Sequence, residues 1–200
     1  MLTLYHAPQS RSSRILWLLE ELKADYEIAY VDILRADGSG GADERNPHPD
    51  KKVPALVHDG ELITESIAIM LYLTDLFPDA RIAPTVGDPR RGTYLGWLAY
   101  YAGVMEPVLN HQFYELGNHE GLARTFGGRA ELDQRLLDAL EGSPYIMGKN
   151  FTAADILFAS LGHFIREMLP AGKTVDAYLE RCGERSALLA AQAKDAAPTK

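Results

Sequence analysis

Three short stretches of the 200-residue chain carry polar residues whose types and spacing suit ligand chemistry. The first is Ser10-Arg11-Ser12-Ser13-Arg14, standing where a β-type run gives way to an apolar segment of helical period. A helix N-terminus gathers unpaired backbone N–H groups and a partial positive charge, so it can hold an anion such as a thiolate. A serine hydroxyl there can donate a hydrogen bond to that anion and lower the pKa of the parent thiol. The same serine can equally act as a plain helix cap. These residues alone leave both readings open.

The second stretch, Lys52-Val53-Pro54, leads into a strand. A cis proline at that point would present the preceding backbone N–H and C=O to a ligand, whereas a trans proline would merely begin the strand. The third, Thr64-Glu65-Ser66, comes directly before a helical run from Ile67. A serine with first-turn amides suits a carboxylate and Glu65 suits an ammonium, so together they fit the zwitterionic end of an amino acid; a cap with a dipole-complementing glutamate is the structural alternative. Further on, Tyr100, Tyr101, Met105, Phe113 and Tyr114 form an aromatic and thioether-rich stretch of the kind found in cores and in apolar pockets. Tyr101 and Met105, four apart on one helical face, are its pocket candidates.

The elements that must position these groups follow from periodicity. Leu2 to Tyr5 reads as a strand, Pro8 to Ser10 as a turn, and Ile15, Leu16, Leu18, Leu19 and Leu22 as the apolar face of a helix. Tyr26 to Ile33 is a second strand, and Ala36 to Lys52 is a long loop without an apolar face. Val53 to His58 and Glu61 to Ile63 flank the hairpin dipeptide Asp59-Gly60, and Ser66 to Phe77 is a helix stopped by Pro78. Residues 1–78 therefore read as β-α-β, loop, β-β-α, and 79–88 as a proline- and glycine-rich linker. Residues 89–200 give only helical signals: a long helix through Trp97, Tyr101, Val104 and Leu109, another over about Arg129 to Glu141, and one opening at Thr152-Ala-Ala-Asp155, a capping-box variant. The alanine-rich tail from Ala187 is expected to be a terminal helix that frays.

Composition excludes several functions. With 46% hydrophobic and 24% charged residues the chain is an ordinary globular protein, and a formal net charge of −8 opposes general affinity for nucleic acid or anionic membranes. No apolar run approaches a membrane span, and the opening MLTLYH lacks a basic n-region and a long apolar core, so an unexported, cytoplasmic protein is expected. Cys182 is the only cysteine, which excludes an internal disulfide, a cysteine-pair redox motif and a multi-cysteine zinc site; it is expected to be an inert buried thiol. The six histidines show no HExxH pairing and the calcium-loop pattern is absent, so no metal is expected.

The order strand, SRSSRILWLLEEL, strand, loop, KKVPALVHDGELITESIAIMLYL, linker and helical domain resembles the soluble glutathione transferases over nearly the whole chain. FTAADI after YIMGK resembles the helix start of that family's second domain. The resemblance implies an α/β thioredoxin-like N-terminal domain with a mixed sheet, followed by an all-α C-terminal bundle that contributes the electrophile pocket, here assigned to Tyr101 and Met105. It implies glutathione as co-substrate, cis Pro54, the Val53 backbone pairing with the cysteinyl part, and Glu65 and Ser66 taking the γ-glutamyl group. Lys52 best matches the residue that helps hold the glycyl carboxylate, with His48 and Lys51 behind it. A homodimer that detoxifies hydrophobic electrophiles in the cytoplasm is the corresponding expectation.

Family subgroups activate the thiol with tyrosine, serine or cysteine near the end of the first strand. No cysteine occurs in this region, and matching through Trp97-Leu98 puts Ala99 and Glu106 where the cysteine-type bacterial subgroup carries asparagine and histidine. Alignment of the helix start with serine-type bacterial and fungal members puts Ser10 at the catalytic position, as a hydrogen-bond donor to sulfur. Ser12 or Ser13 would need a shifted turn, and Tyr5 reads as structural. The expected activity is thiolate attack on an electrophile, with glutathione-dependent peroxidase chemistry or a non-enzymatic partner-binding module as alternatives.

Overall fold

Leu2, Leu4 and His6 turn inward along β1 (Leu2–His6) while Thr3 and Tyr5 are only half-buried, the period-two pattern of a strand with unequal faces. In the computed structural model, which describes residues 1–117 and 119–196, β1 pairs in parallel with β2 (Tyr26–Tyr30) and antiparallel with β3 (Ala55–His58). β3 then pairs antiparallel with β4 (Glu61–Thr64), giving a mixed sheet of order β2-β1-β3-β4. Asp59 (φ 49°) and Gly60 (φ 91°) make the tight turn between β3 and β4, both in the left-handed region that a two-residue hairpin loop requires. With α1 (Ser12–Leu22) and α2 (Ser66–Leu76), this is the expected thioredoxin-like α/β domain.

β2 ends sooner than the apolar run through Ile33 implied. The Val31 N–H still bonds to the His6 carbonyl, but Asp32 Oδ1 then accepts the Ile33 N–H at 2.9 Å and the Asp32 N–H turns to Asp43. Local side-chain acceptors thus replace the ladder.

The chain divides into two compact units, Met1–Ala80 with the described residues from Arg185 on, and Arg81–Glu184. This corrects the expectation that 89–200 forms one helical domain, because the terminal helix α9 (Ser186–Asp195) belongs to the first unit. The reason lies in α1, which buries Ile15, Leu16, Trp17, Leu18 and Leu19 in succession rather than along one stripe. A helix buried on more than one side needs a second cover. α9 supplies it, burying Leu188 and Ala191 and clamping through Arg185 to Glu21 (2.5 and 2.6 Å) and Lys194 to Glu20 (2.6 Å). The predicted fraying at Ala-Pro-Thr-Lys falls on 197–200, outside the described residues.

Among the described residues the regular elements of the second unit are helices: α3 (Arg91–Tyr100), α4 (Glu106–Phe113), α5 (Glu120–Phe126), α6 (Arg129–Leu140), α7 (Ala153–Phe164) and α8 (Lys173–Gly183). The expected single helix through Leu109 is interrupted by a widened π-type turn at Tyr101–Met105. Pro107 accounts for it, since its ring opposes the carbonyl four residues back and it has no N–H to donate. The Thr152-Asp155 capping box forms as read: Asp155, fully buried, accepts from the Thr152 N–H (2.7 Å), Thr152 Oγ1 (3.0 Å) and the Ile146 N–H (2.9 Å). Burial pushes its carboxyl pKa up even against those hydrogen bonds. No described helix is long and apolar enough to cross a membrane.

Candidate functional site

Strand register sets three of the polar stretches side by side. Tyr5 pairs with Ala55 and Ala55 with Thr64, so the turn after β1, the Val53–Pro54 bond before β3 and Glu65-Ser66 after β4 all lie at one end of the sheet. The Val53–Pro54 bond is cis. Glu65 holds φ 67°, a left-handed conformation rare for a residue with a side chain, at the start of α2. Its carboxylate is exposed, Ser66 is half-buried, and neither side chain has a hydrogen-bond or ionic partner among the described residues.

The loop before Pro54 separates the three basic candidates. Asn46, fully buried, donates from Nδ2 to the Lys52 carbonyl (3.0 Å) and accepts the His48 N–H at Oδ1 (3.0 Å). Lys51 Nζ donates to the Asn46 carbonyl (3.0 Å), and buried His48 accepts the Asp50 N–H at Nδ1 (3.1 Å). Lys51 and His48 therefore brace the loop. The Lys52 ammonium is exposed and has no partner among the described residues.

The turn between β1 and α1 is knit by hydroxyls. Half-buried Ser10 has its Oγ 2.7 Å from the Ala7 carbonyl and 2.7 Å from Ser12 Oγ, and it accepts the Ser12 N–H at 3.1 Å. Its carbonyl accepts the Ser13 N–H at 3.0 Å. Ser10 thus satisfies two of the amides that open α1, which is capping chemistry. Ser12 is wholly buried; its Oγ accepts the Ala7 N–H (3.2 Å) and lies 2.8 Å from His6 Nδ1. Ser13 Oγ donates to Asp195 Oδ1 at 2.5 Å. Tyr5 stays within β1, in register with Ala29 and Ala55.

Three groups at this turn escaped the sequence reading. His6, completely buried at the end of β1, lies with Nε2 3.3 Å from Asp195 Oδ1 and 3.4 Å from the Asp195 carbonyl. Asp195 also accepts the Gln9 N–H (3.2 Å), holding Gln9 at φ 53°. Burial opposes ionisation of Asp195, but hydrogen bonds from His6, Ser13 and the Gln9 amide outweigh it and hold the carboxyl below its ordinary value. Arg35 donates from Nη2 to the Pro8 carbonyl (3.0 Å), tying the loop after β2 to the same turn. His6 lies one residue past the strand read over Leu2 to Tyr5, and the aspartate lies 189 residues further on.

Tyr101 and Met105 do not form an open wall. Both are buried in the helical unit, where the Tyr101 ring meets Phe158 edge-on at 5.3 Å, so they are core residues and their assignment to a pocket is corrected. The π-type turn carries both inward, whereas Ala102 and Gly103 within it are exposed. Cys182 is buried, as expected.

Residues 1–75 match the family profile of the glutathione S-transferase N-terminal domain. Glutathione S-transferase GstA of Escherichia coli O157:H7 is 30% identical over 189 residues, 91% of this chain and 92% of that protein. A probable maleylacetoacetate isomerase of Caenorhabditis elegans is 30% identical over 195 residues, 91% of this chain and 88% of its own length. The crystal structure of a glutathione S-transferase from Actinobacillus pleuropneumoniae matches with a TM-score of 0.79 at 28% identity, covering 98% of this chain and 93% of that one. Similarity that runs almost end to end in both partners establishes that this chain belongs to the glutathione S-transferase family.

Proposed function

We propose that the chain is a serine-type glutathione transferase that binds glutathione on residues 1–78, holds its thiolate at Ser10, and directs it at a hydrophobic electrophile met by the helical residues beyond the 79–88 linker. The observation that carries the reading is the register that puts Ser10, Val53–Pro54 and Glu65-Ser66 at one end of the sheet. Glu65 and Ser66, both without partners among the described residues, take the γ-glutamyl ammonium and carboxylate. The Val53 backbone pairs with the cysteinyl unit, and the exposed Lys52 ammonium takes the glycyl carboxylate. At Ser10 the hydroxyl and the opening turn of α1 favour the charged form of the thiol. Supporting the serine assignment, the chain's one cysteine is Cys182, remote in sequence from the turn. The corresponding cellular form is a cytoplasmic homodimer.

The mechanism is proximity plus pKa lowering. A free thiol has a pKa of about 8.5, and a shift of two units corresponds to roughly 2.7 kcal/mol of preference for the thiolate. One charge-assisted hydrogen bond and a helix terminus are of that size together. Relatives of comparable similarity include one named an isomerase, so the deciding experiment is a panel: turnover with a chloronitrobenzene, an organic hydroperoxide and maleylacetoacetate, each with glutathione. Turnover of the chloronitrobenzene that falls in Ser10→Ala supports the transferase reading. Hydroperoxide reduction alone makes the protein a peroxidase, and failure to bind glutathione at millimolar concentration leaves a non-enzymatic module.

A further inference from the structure

The hydrogen-bond chain behind Ser10 ends in a base. His6 Nε2 faces two acceptors, the Asp195 carboxylate at 3.3 Å and the Asp195 carbonyl at 3.4 Å, so in the neutral ring this nitrogen carries the proton. Nδ1 is then a lone pair, and at 2.8 Å the Ser12 hydroxyl must donate to it. Ser12 has no second proton, so towards Ser10 Oγ, 2.7 Å away, it is an acceptor only. Ser10 in turn has one proton and two inward acceptors, Ser12 Oγ and the Ala7 carbonyl. With His6 neutral, turning the Ser10 proton outward to a sulfur would leave two hydroxyl lone pairs facing each other at 2.7 Å. With His6 protonated the conflict disappears: Nδ1–H donates to Ser12, Ser12 donates to Ser10, and Ser10 donates outward.

We propose that His6, supported by Asp195, takes up the proton of the glutathione thiol through the hydroxyls of Ser10 and Ser12. This rests on the assignment of the sulfur to Ser10. In the transfer the S–H bond breaks and its proton passes to Ser10 Oγ, the Ser10 proton passes to Ser12 Oγ, and the Ser12 proton passes to His6 Nδ1. The result is a thiolate, two neutral hydroxyls and an imidazolium; no electrons change hands. Every hydrogen bond in the array then points towards the sulfur. His6 and Ser12 are both fully buried, so the proton has no water to share, and Asp195 is the anion that balances it. Among the described residues the groups facing the imidazole are Asp195 from α9, Ser12 from α1 and the Tyr30 ring edge from β2 (5.6 Å), and Asp195 is the carboxylate of that set. When the product leaves, the array resets by returning the proton to solvent. The role of His6 and Asp195 is one of positioning and proton storage, exercised through the serines.

The test counts protons. Glutathione is titrated into the whole protein by calorimetry near neutral pH, in buffers of different ionisation enthalpy, with S-methylglutathione as the reference that has no thiol proton. Ultraviolet absorbance gives the thiolate formed in the same samples. The expected result is thiolate formation with little net proton release in the wild type. In His6→Gln, which keeps hydrogen-bonding atoms but takes no proton, less thiolate forms and each one formed releases a full proton. Asp195→Asn, which removes the charge and keeps one acceptor oxygen while turning the other into an NH2 donor, should move both readouts the same way. A full proton released per thiolate in the wild type overturns the relay and leaves the Ser10 assignment standing. Glutathione binding without any thiolate overturns both. Should His6→Gln fail to fold, the wild-type proton count decides.

Discussion

Replacing Ser10 with alanine tests the site where its two roles conflict. In the structure the Ser10 hydroxyl is 2.7 Å from the Ala7 carbonyl, so donating to a thiolate exchanges a neutral hydrogen bond for a charge-assisted one. The first is worth about 1 kcal/mol and the second about 1.5–3 kcal/mol, leaving a net preference of about 0.5–2 kcal/mol. At 1.36 kcal/mol per unit, Ser10→Ala should raise the pKa of bound glutathione's thiol by about one unit, a tenfold loss of thiolate and of turnover below that pKa. Glutathione affinity should change much less, because Lys52, Glu65, Ser66 and the Val53 backbone remain. The variant should also lose about 1 kcal/mol of stability, since the Ser12 N–H, 3.1 Å from Ser10 Oγ, loses its acceptor. The assay is ultraviolet titration of bound glutathione against pH, with turnover over the same range. An unshifted thiol pKa with lowered stability would refute the reasoning and leave Ser10 a cap.

Lys52→Ala should raise the KM for glutathione several-fold with kcat nearly unchanged, as expected for one exposed cation binding a carboxylate equally in ground and transition states; steady-state kinetics with glutathione as the varied substrate reads this out. Asp155→Ala should cost about 2–4 kcal/mol in denaturant unfolding, because it strands the buried Thr152 and Ile146 amides at the head of α7. Arg185→Ala removes both hydrogen bonds to buried Glu21 and should loosen α9, seen as faster amide exchange in α9 and along α1. Asp195 has a folded pKa below its unfolded one, so it stabilises the docking of α9 above the ordinary carboxyl range and loses that contribution as pH falls through the folded value. The protection factors of α9 amides, which divide out the intrinsic pH dependence of exchange, should therefore fall on acidification below about pH 4, and pH-independent protection factors would contradict this.

Much of the first unit was legible because its signals are local. Asp59-Gly60 fixes a hairpin and Pro78 stops a helix, so the succession β-α-β, loop, β-β-α follows from short-range pattern, and the grouping of Ser10, Pro54 and Glu65 from family resemblance. What escaped depends on long-range pairing. Nothing in the alanine-rich tail signals that Asp195 meets His6, or that Arg185 meets Glu21 across 164 residues. The continuous burial of α1, from Ile15 to Leu19, was the available hint that a further helix covers it. Tyr101 and Met105 were misassigned because helical spacing puts them on one face without saying whether that face is core; the aromatic Phe158 opposite decides it. Family resemblance ranked Lys52 above His48 and Lys51, and the contacts around Asn46 give the physical ground: Lys51 and His48 brace the loop, while the Lys52 ammonium has no partner among the described residues.

The central claim is that the sulfur of glutathione lies against Ser10, and a crystal structure of the protein with glutathione tests it most directly. The account predicts sulfur within hydrogen-bonding distance of Ser10 Oγ, the cysteinyl backbone on Val53 and the γ-glutamyl group at Glu65 and Ser66. A sulfur held by the Tyr5 hydroxyl, or lying beyond reach of any hydroxyl of the β1–α1 turn, would contradict it.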